Sequence, residues 1–156
     1  MTRANTHSEH TRPAAMLRCA AGGVVGAMAM TGMRELARGL DLIAETPPES
    51  VLREEVPSLL ERIPKERRVA TVQLAHWGYG ATAGAIYGLV PERLRVPGVS
   101  GPVYGVLSWA VFEFAIAPVL GLAHAHESRP RERAALFVDH VLYGLVVGAA
   151  SRRHTP

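Results

Sequence analysis

Residues 69–90 run for 22 positions without one Asp, Glu, Lys or Arg. As a helix that stretch covers about 33 Å, against a bilayer hydrocarbon core of roughly 30 Å. Three other stretches are nearly as apolar. Residues 101–122 carry Glu113 as their one charge, residues 134–150 carry Asp139, and residues 14–33 carry Arg18 near their start. A helix in a water-soluble bundle needs a polar face, with charges recurring at helical spacing. The stretches at 69–90 and 101–122 lack that face. The sequence therefore predicts an all-α fold, a bundle of four transmembrane helices at about 14–38, 69–90, 101–123 and 134–150.

The pattern H-x-x-Y-G-x-x-x-G-A occurs twice, at 76–85 and at 140–149. Each copy is preceded by an apolar stretch holding G-x-V-x-G, at Gly22–Gly26 and at Gly101–Gly105. Together they predict two similar helical hairpins. Gly80, Gly84 and Gly88 fall on one stripe of a helix, and Gly144 and Gly148 on its counterpart. Small residues at four-residue spacing let two helix backbones approach closely inside a membrane. Close packing explains the glycines. It gives no reason for His76 and His140 to head both stripes.

The rest of the chain frames this single membrane domain, 14–153. Residues 1–13 form a polar N-terminal tail. Residues 44–66 place Val51, Leu52, Val56, Leu59, Leu60 and Ile63 between acids at near-helical spacing, broken at Pro57. That pattern predicts an amphipathic loop, lying on the membrane surface or folded back onto the bundle. The first apolar stretch follows a basic leader as a secretory signal would, but it outlasts the usual apolar core of such signals and three more spans follow. It is read as a retained helix. Cys19 is the only cysteine, so no disulfide within the chain is expected.

The net charge of +3 does not point to nucleic acid. Arginines flank the apolar stretches, as residues that meet lipid headgroups do, and aromatic residues do not interleave with them. The implied partner is the lipid bilayer. Glycine stripes exposed on more than one helix would add a second copy of the chain or another membrane protein. Ten Lys and Arg in 34–68 and 123–133, against seven elsewhere, tilt those loops toward the inner side.

Depth along each span gathers the ionisable residues. Glu113 lies at the middle of the third span; His76 is about 6 Å and His140 about 3 Å from the middle of theirs. Asp139 lies slightly further out on the same side. Aligning the first and third helices through G-x-V-x-G puts Arg34 opposite Glu113, with Glu35 beside it. Arg34, Glu35, His76, Glu113, Asp139 and His140 are thus expected to converge as a buried polar cluster. An ionised carboxylate at mid-bilayer costs several kcal/mol unless paired, protonated or hydrated. Three readings stay open: Glu113 pairs with Arg34 or a histidine and locks the helices; the set relays protons, which imidazole suits, or lines a small polar pathway; or it binds a metal or a polar cofactor, for which one ligand per helix gives no diagnostic spacing. His124 and His126 at a helix end are a weaker ligand pair.

Neither G-x-S-x-G nor H-E-x-x-H nor a phosphate-binding loop occurs, so no catalytic residue, cofactor or metal is expected. The run Val103-Tyr-Gly, Pro118-x-x-Gly121-Leu, Asp139-His140-x-x-Tyr143 and the closing Arg152-Arg153 resembles the YagU-like family of small bacterial inner-membrane proteins of unknown function, mainly over residues 100–153. The resemblance implies a multi-pass protein of the bacterial inner membrane and carries no site residues with it. The expected role is a structural or accessory subunit or an oligomeric membrane component; the alternative is a channel- or transporter-like unit for protons, ions or small solutes.

Overall fold

In the computed structural model, residues 4–40, 62–119 and 130–152 are described, the side chains of 4–11, 131 and 132 excepted. All regular structure among them is helical: α1 (Ala4–Gly39), α2 (Lys65–Leu89), a single 3-10 turn (Glu92–Leu94), α3 (100–119) and α4 (Pro130–Ala150). α1 begins upstream of the expected Ala14 and keeps Pro13 within it. The expected amphipathic positions 51–60, the end of the third span beyond Val119, and His124 and His126 lie outside the described residues.

Proline and glycine set the boundaries. Val90 precedes Pro91, whose ring disfavours the helical conformation in its neighbour; Val90 has ψ 130° and ends α2. Gly98, with φ 79°, turns the chain into α3. α3 is regular over Ser100–Val111, widens to a π-type turn over Phe112–Ile116, and resumes at Ala117–Val119. Pro118 has no amide hydrogen and its ring crowds the preceding turn. The wide turn directly before it, closed by Ala117 N–H donating to the Phe112 carbonyl, absorbs that misfit.

α1 lies against α2 and α4, and α4 also lies against α3. The α1–α2 seam is built from small residues. A Cβ on Gly23 would strike the Gly80 carbonyl, one on Gly84 the Cys19 carbonyl, and one on Gly88 would sit 2.7 Å from Met16 Cα. The α3–α4 seam uses the same kind of contact: Gly101 faces the Gly144 carbonyl, Gly105 faces the His140 carbonyl, and Gly148 faces Gly101 Cα. Backbones this close leave no room for side chains between them.

These contacts correct the expected register. Gly23 and Ala27, rather than Gly22 and Gly26, hold the places against α2 that Gly101 and Gly105 hold against α4. Gly22 and Gly26 turn instead to α4, meeting Ala150 and the Tyr143 ring. One residue of slip rotates a helix by about 100°. Arg34 is therefore not the counterpart of Glu113.

Many large apolar side chains lie on the outside of the bundle, while three charged ones are enclosed. Ala15, Cys19, Ala27, Arg34, Glu113 and Asp139 are buried, whereas Leu17, Leu36, Leu74, Leu107, Phe114 and Val119 are exposed. Three helices are long and apolar enough to cross a membrane, over Arg12–Gly39, Ser100–Val119 and Arg133–Ala150. α2 has the length, at 25 residues, but Gln73, His76, Trp77, Tyr79 and Thr82 make it less apolar than the other three.

Candidate functional site

The site forms where α1, α2 and α4 come level beyond the glycine seam. Arg34 projects from α1 and is 5% exposed. Its Nη2 lies 2.6 Å from Nε2 of His76 on α2, and its Nη1 lies 3.8 Å from Oδ2 of Asp139 on α4. A guanidinium only donates, so Nε2 of His76 accepts and the ring carries its proton on Nδ1. Asp139 is 1% exposed, and neither of its carboxylate oxygens has a hydrogen-bond partner among the described residues. Its compensation is the Arg34 charge, at ion-pair rather than hydrogen-bond distance. One arginine thus ties three helices.

A second pair lies toward α3. Glu113, 4% exposed, is the second residue of the π-type turn. Its Oε1 is 2.8 Å from Nε of Arg133, at the start of α4. Arg133 is partly exposed and reaches in from the end of the bundle, its apolar stem spanning the depth that its charge avoids. Between the two pairs stands His140. Its Nδ1 donates to the Leu136 carbonyl at 2.8 Å, its ring stacks on Phe112 with centroids 6.5 Å apart, and it lies within electrostatic reach of Arg34, His76 and Glu113.

The structure therefore gathers Arg34, His76, Asp139, His140 and Glu113 in one half of the bundle. Glu35 does not join them. Its side chain is 57% exposed and pairs with Arg38 at 3.1 Å along the same helix. Neighbours in a helix point about 100° apart, so with Arg34 facing inward Glu35 must turn away. Glu113 pairs with Arg133 rather than with Arg34. Among the described residues no group of three or more His, Cys, Asp and Glu is placed to hold a metal ion.

The sequence does not announce several members of this network. Thr31 Oγ1 lies 2.9 Å from Gln73 Oε1 and 3.0 Å from the Ala27 carbonyl, and Trp77 Nε1 reaches it at 3.3 Å. These uncharged groups extend the polar contact between α1 and α2 by a turn. Tyr143 passes Gly26 and donates to the Gly80 carbonyl at 2.6 Å; Tyr104 donates to the Ala83 carbonyl at 2.7 Å. Both hydroxyls cross to the backbone of α2. Tyr79, the repeat counterpart of Tyr143, is 56% exposed. Arg133 reads in the sequence as one more flanking cation. The available signal was Pro118, since the turn it widens begins at Phe112 and contains Glu113.

No protein-family model matches the chain, and no curated protein or solved structure matches it either.

Proposed function

We propose that this chain is a multi-pass protein of the bacterial inner membrane, with all four helices crossing as two similar hairpins. It serves as a structural or accessory subunit, or as one copy in an oligomer, without catalytic activity of its own. The observation that carries this reading is the set of large apolar side chains left exposed along the helices while Arg34, Glu113 and Asp139 are enclosed. Water would disfavour that arrangement and hydrocarbon favours it. α2 crosses despite its polar residues because Gln73, His76 and Trp77 are matched by α1. The buried pairs then lock the helices in register, since each pair is satisfied in one arrangement only. The YagU-like resemblance over 100–153 agrees with a small inner-membrane component.

One observation favours a second reading, a pathway for protons, ions or small solutes. Asp139 is fully buried and its oxygens lack hydrogen bonds among the described residues, with two imidazoles nearby. Purified Glu113→Gln and His76→Ala/His140→Ala proteins separate the two. As a structural lock, the variants lose oligomeric order or thermal stability in detergent, and wild-type liposomes show no proton flux. Intact assembly with wild-type flux abolished in the variants would replace the first reading with the second.

A further inference from the structure

The opposite end of the bundle collects arginines of its own. Arg12 and Arg18 on α1, Arg93 and Arg95 before α3, and Arg152 after α4 gather there, at the level where Gly88 meets Met16 and Gly22 meets Ala150. None of the five is ion-paired with an acid among the described residues, which is true also of the exposed Arg62, Lys65 and Arg67 at the other end. Glu92 is the one acid at this end whose side chain is described, and it is exposed. Arg18 is the sharpest case. It is half-buried, and its Nε is shielded from solvent without a hydrogen-bond partner among the described residues. Arg95 spends its Nε on the Val90 carbonyl at 2.8 Å, and both guanidiniums lie within electrostatic reach of the Cys19 thiol. A shielded arginine Nε left without a hydrogen bond among the described residues, with further arginines around it, calls for an anion.

The surroundings of these arginines specify which kind. Leu17, beside Arg18, is 72% exposed, and Leu94 and Val96, on either side of Arg95, are 58% and 51% exposed. All three candidate spans have an end here, at Arg12, at Ser100 and at Ala150. A cation next to exposed hydrocarbon at the end of a span matches a molecule that is anionic at its head and apolar below it. We propose that Arg18 and Arg95 hold the phosphate headgroup of an anionic phospholipid, with Arg12, Arg93 and Arg152 adding to the local field. This rests on the membrane reading above.

The test compares wild type with Arg18→Gln/Arg95→Gln, the charge-preserving Arg18→Lys/Arg95→Lys, and Arg62→Gln/Arg67→Gln at the other end. Each protein in detergent is titrated with phosphatidylglycerol, phosphatidylcholine and inorganic phosphate, and followed by native mass spectrometry and by Tm. Wild type should retain phosphatidylglycerol in preference to phosphatidylcholine. The Gln pair should bind it ~30-fold more weakly, for two lost headgroup contacts. The Lys pair and the opposite-end variant should keep it. Equal retention of both lipids, a Gln pair indistinguishable from wild type, or inorganic phosphate raising Tm as much as phosphatidylglycerol would overturn the lipid site. Alkaline carbonate extraction of the wild-type chain from cell membranes separates the two claims: release overturns the membrane reading itself, whereas an embedded protein without lipid preference overturns the site alone.

Discussion

Arg18 and Arg34 are the same residue type on the same helix, about 24 Å apart along its axis, and the molecule treats them in opposite ways. Arg34 is enclosed and met by an imidazole and a carboxylate from two other helices. Arg18 is half-buried and its Nε is met by nothing among the described residues. The ion pairs among the described residues, those of Arg34, Arg38 and Arg133, all lie at the Arg34 end, where the exposed Arg62, Lys65 and Arg67 have none. At the Arg18 end none of the five arginines is ion-paired with an acid among the described residues. The difference teaches that a charge enclosed by protein must be compensated by protein, whereas a charge at the lipid interface can be compensated by the membrane itself.

Substitutions at the two ends should therefore differ most in stability, and the largest effect belongs to the enclosed pair. Asp139→Leu leaves the Arg34 guanidinium buried without its counter-charge, and thermal unfolding in detergent should show a loss of about 3–5 kcal/mol. Between the ends, Gly105→Val thrusts side-chain bulk against the His140 carbonyl and should cost about 1–3 kcal/mol, with α3 displaced from α4 in cysteine cross-linking of the pair. Tyr143→Phe removes one hydroxyl from the Gly80 carbonyl and should cost about 1 kcal/mol in the same unfolding assay. Smallest is the interface: Arg93→Gln/Arg152→Gln should move stability by no more than about 0.5 kcal/mol in lipid-free detergent. A large loss there would erase the contrast between the ends.

What was legible in the sequence follows the same division. Helix positions could be read because the absence of charge over 69–90, and the single Glu113 over 101–122, are properties of composition and length alone. The glycine stripes could be read because spacing of four fixes a face. Depth could be read too, which is why Arg34, His76, Glu113, Asp139 and His140 fall in one half of the molecule. Rotation could not. G-x-V-x-G matched in both odd helices, yet the backbone contacts use Gly23 where the motif offered Gly22, and Arg34 meets His76 and Asp139 instead of standing opposite Glu113. Pairing across helices was hidden for a related reason. Glu113 sits on a turn widened ahead of Pro118, so straight-helix geometry could not aim it at Arg133.

The lock between helices rests above all on Arg34 and Asp139, and a double-mutant cycle measures it most directly. Arg34→Met, Asp139→Leu and the double variant are unfolded alongside wild type in one detergent. Each single variant leaves one buried charge behind; the double leaves none. The double variant should be more stable than either single, with a coupling of about 2 kcal/mol or more between the two sites. Strictly additive losses would mean that the two residues do not compensate one another, and the buried network would not be what holds α1 to α4.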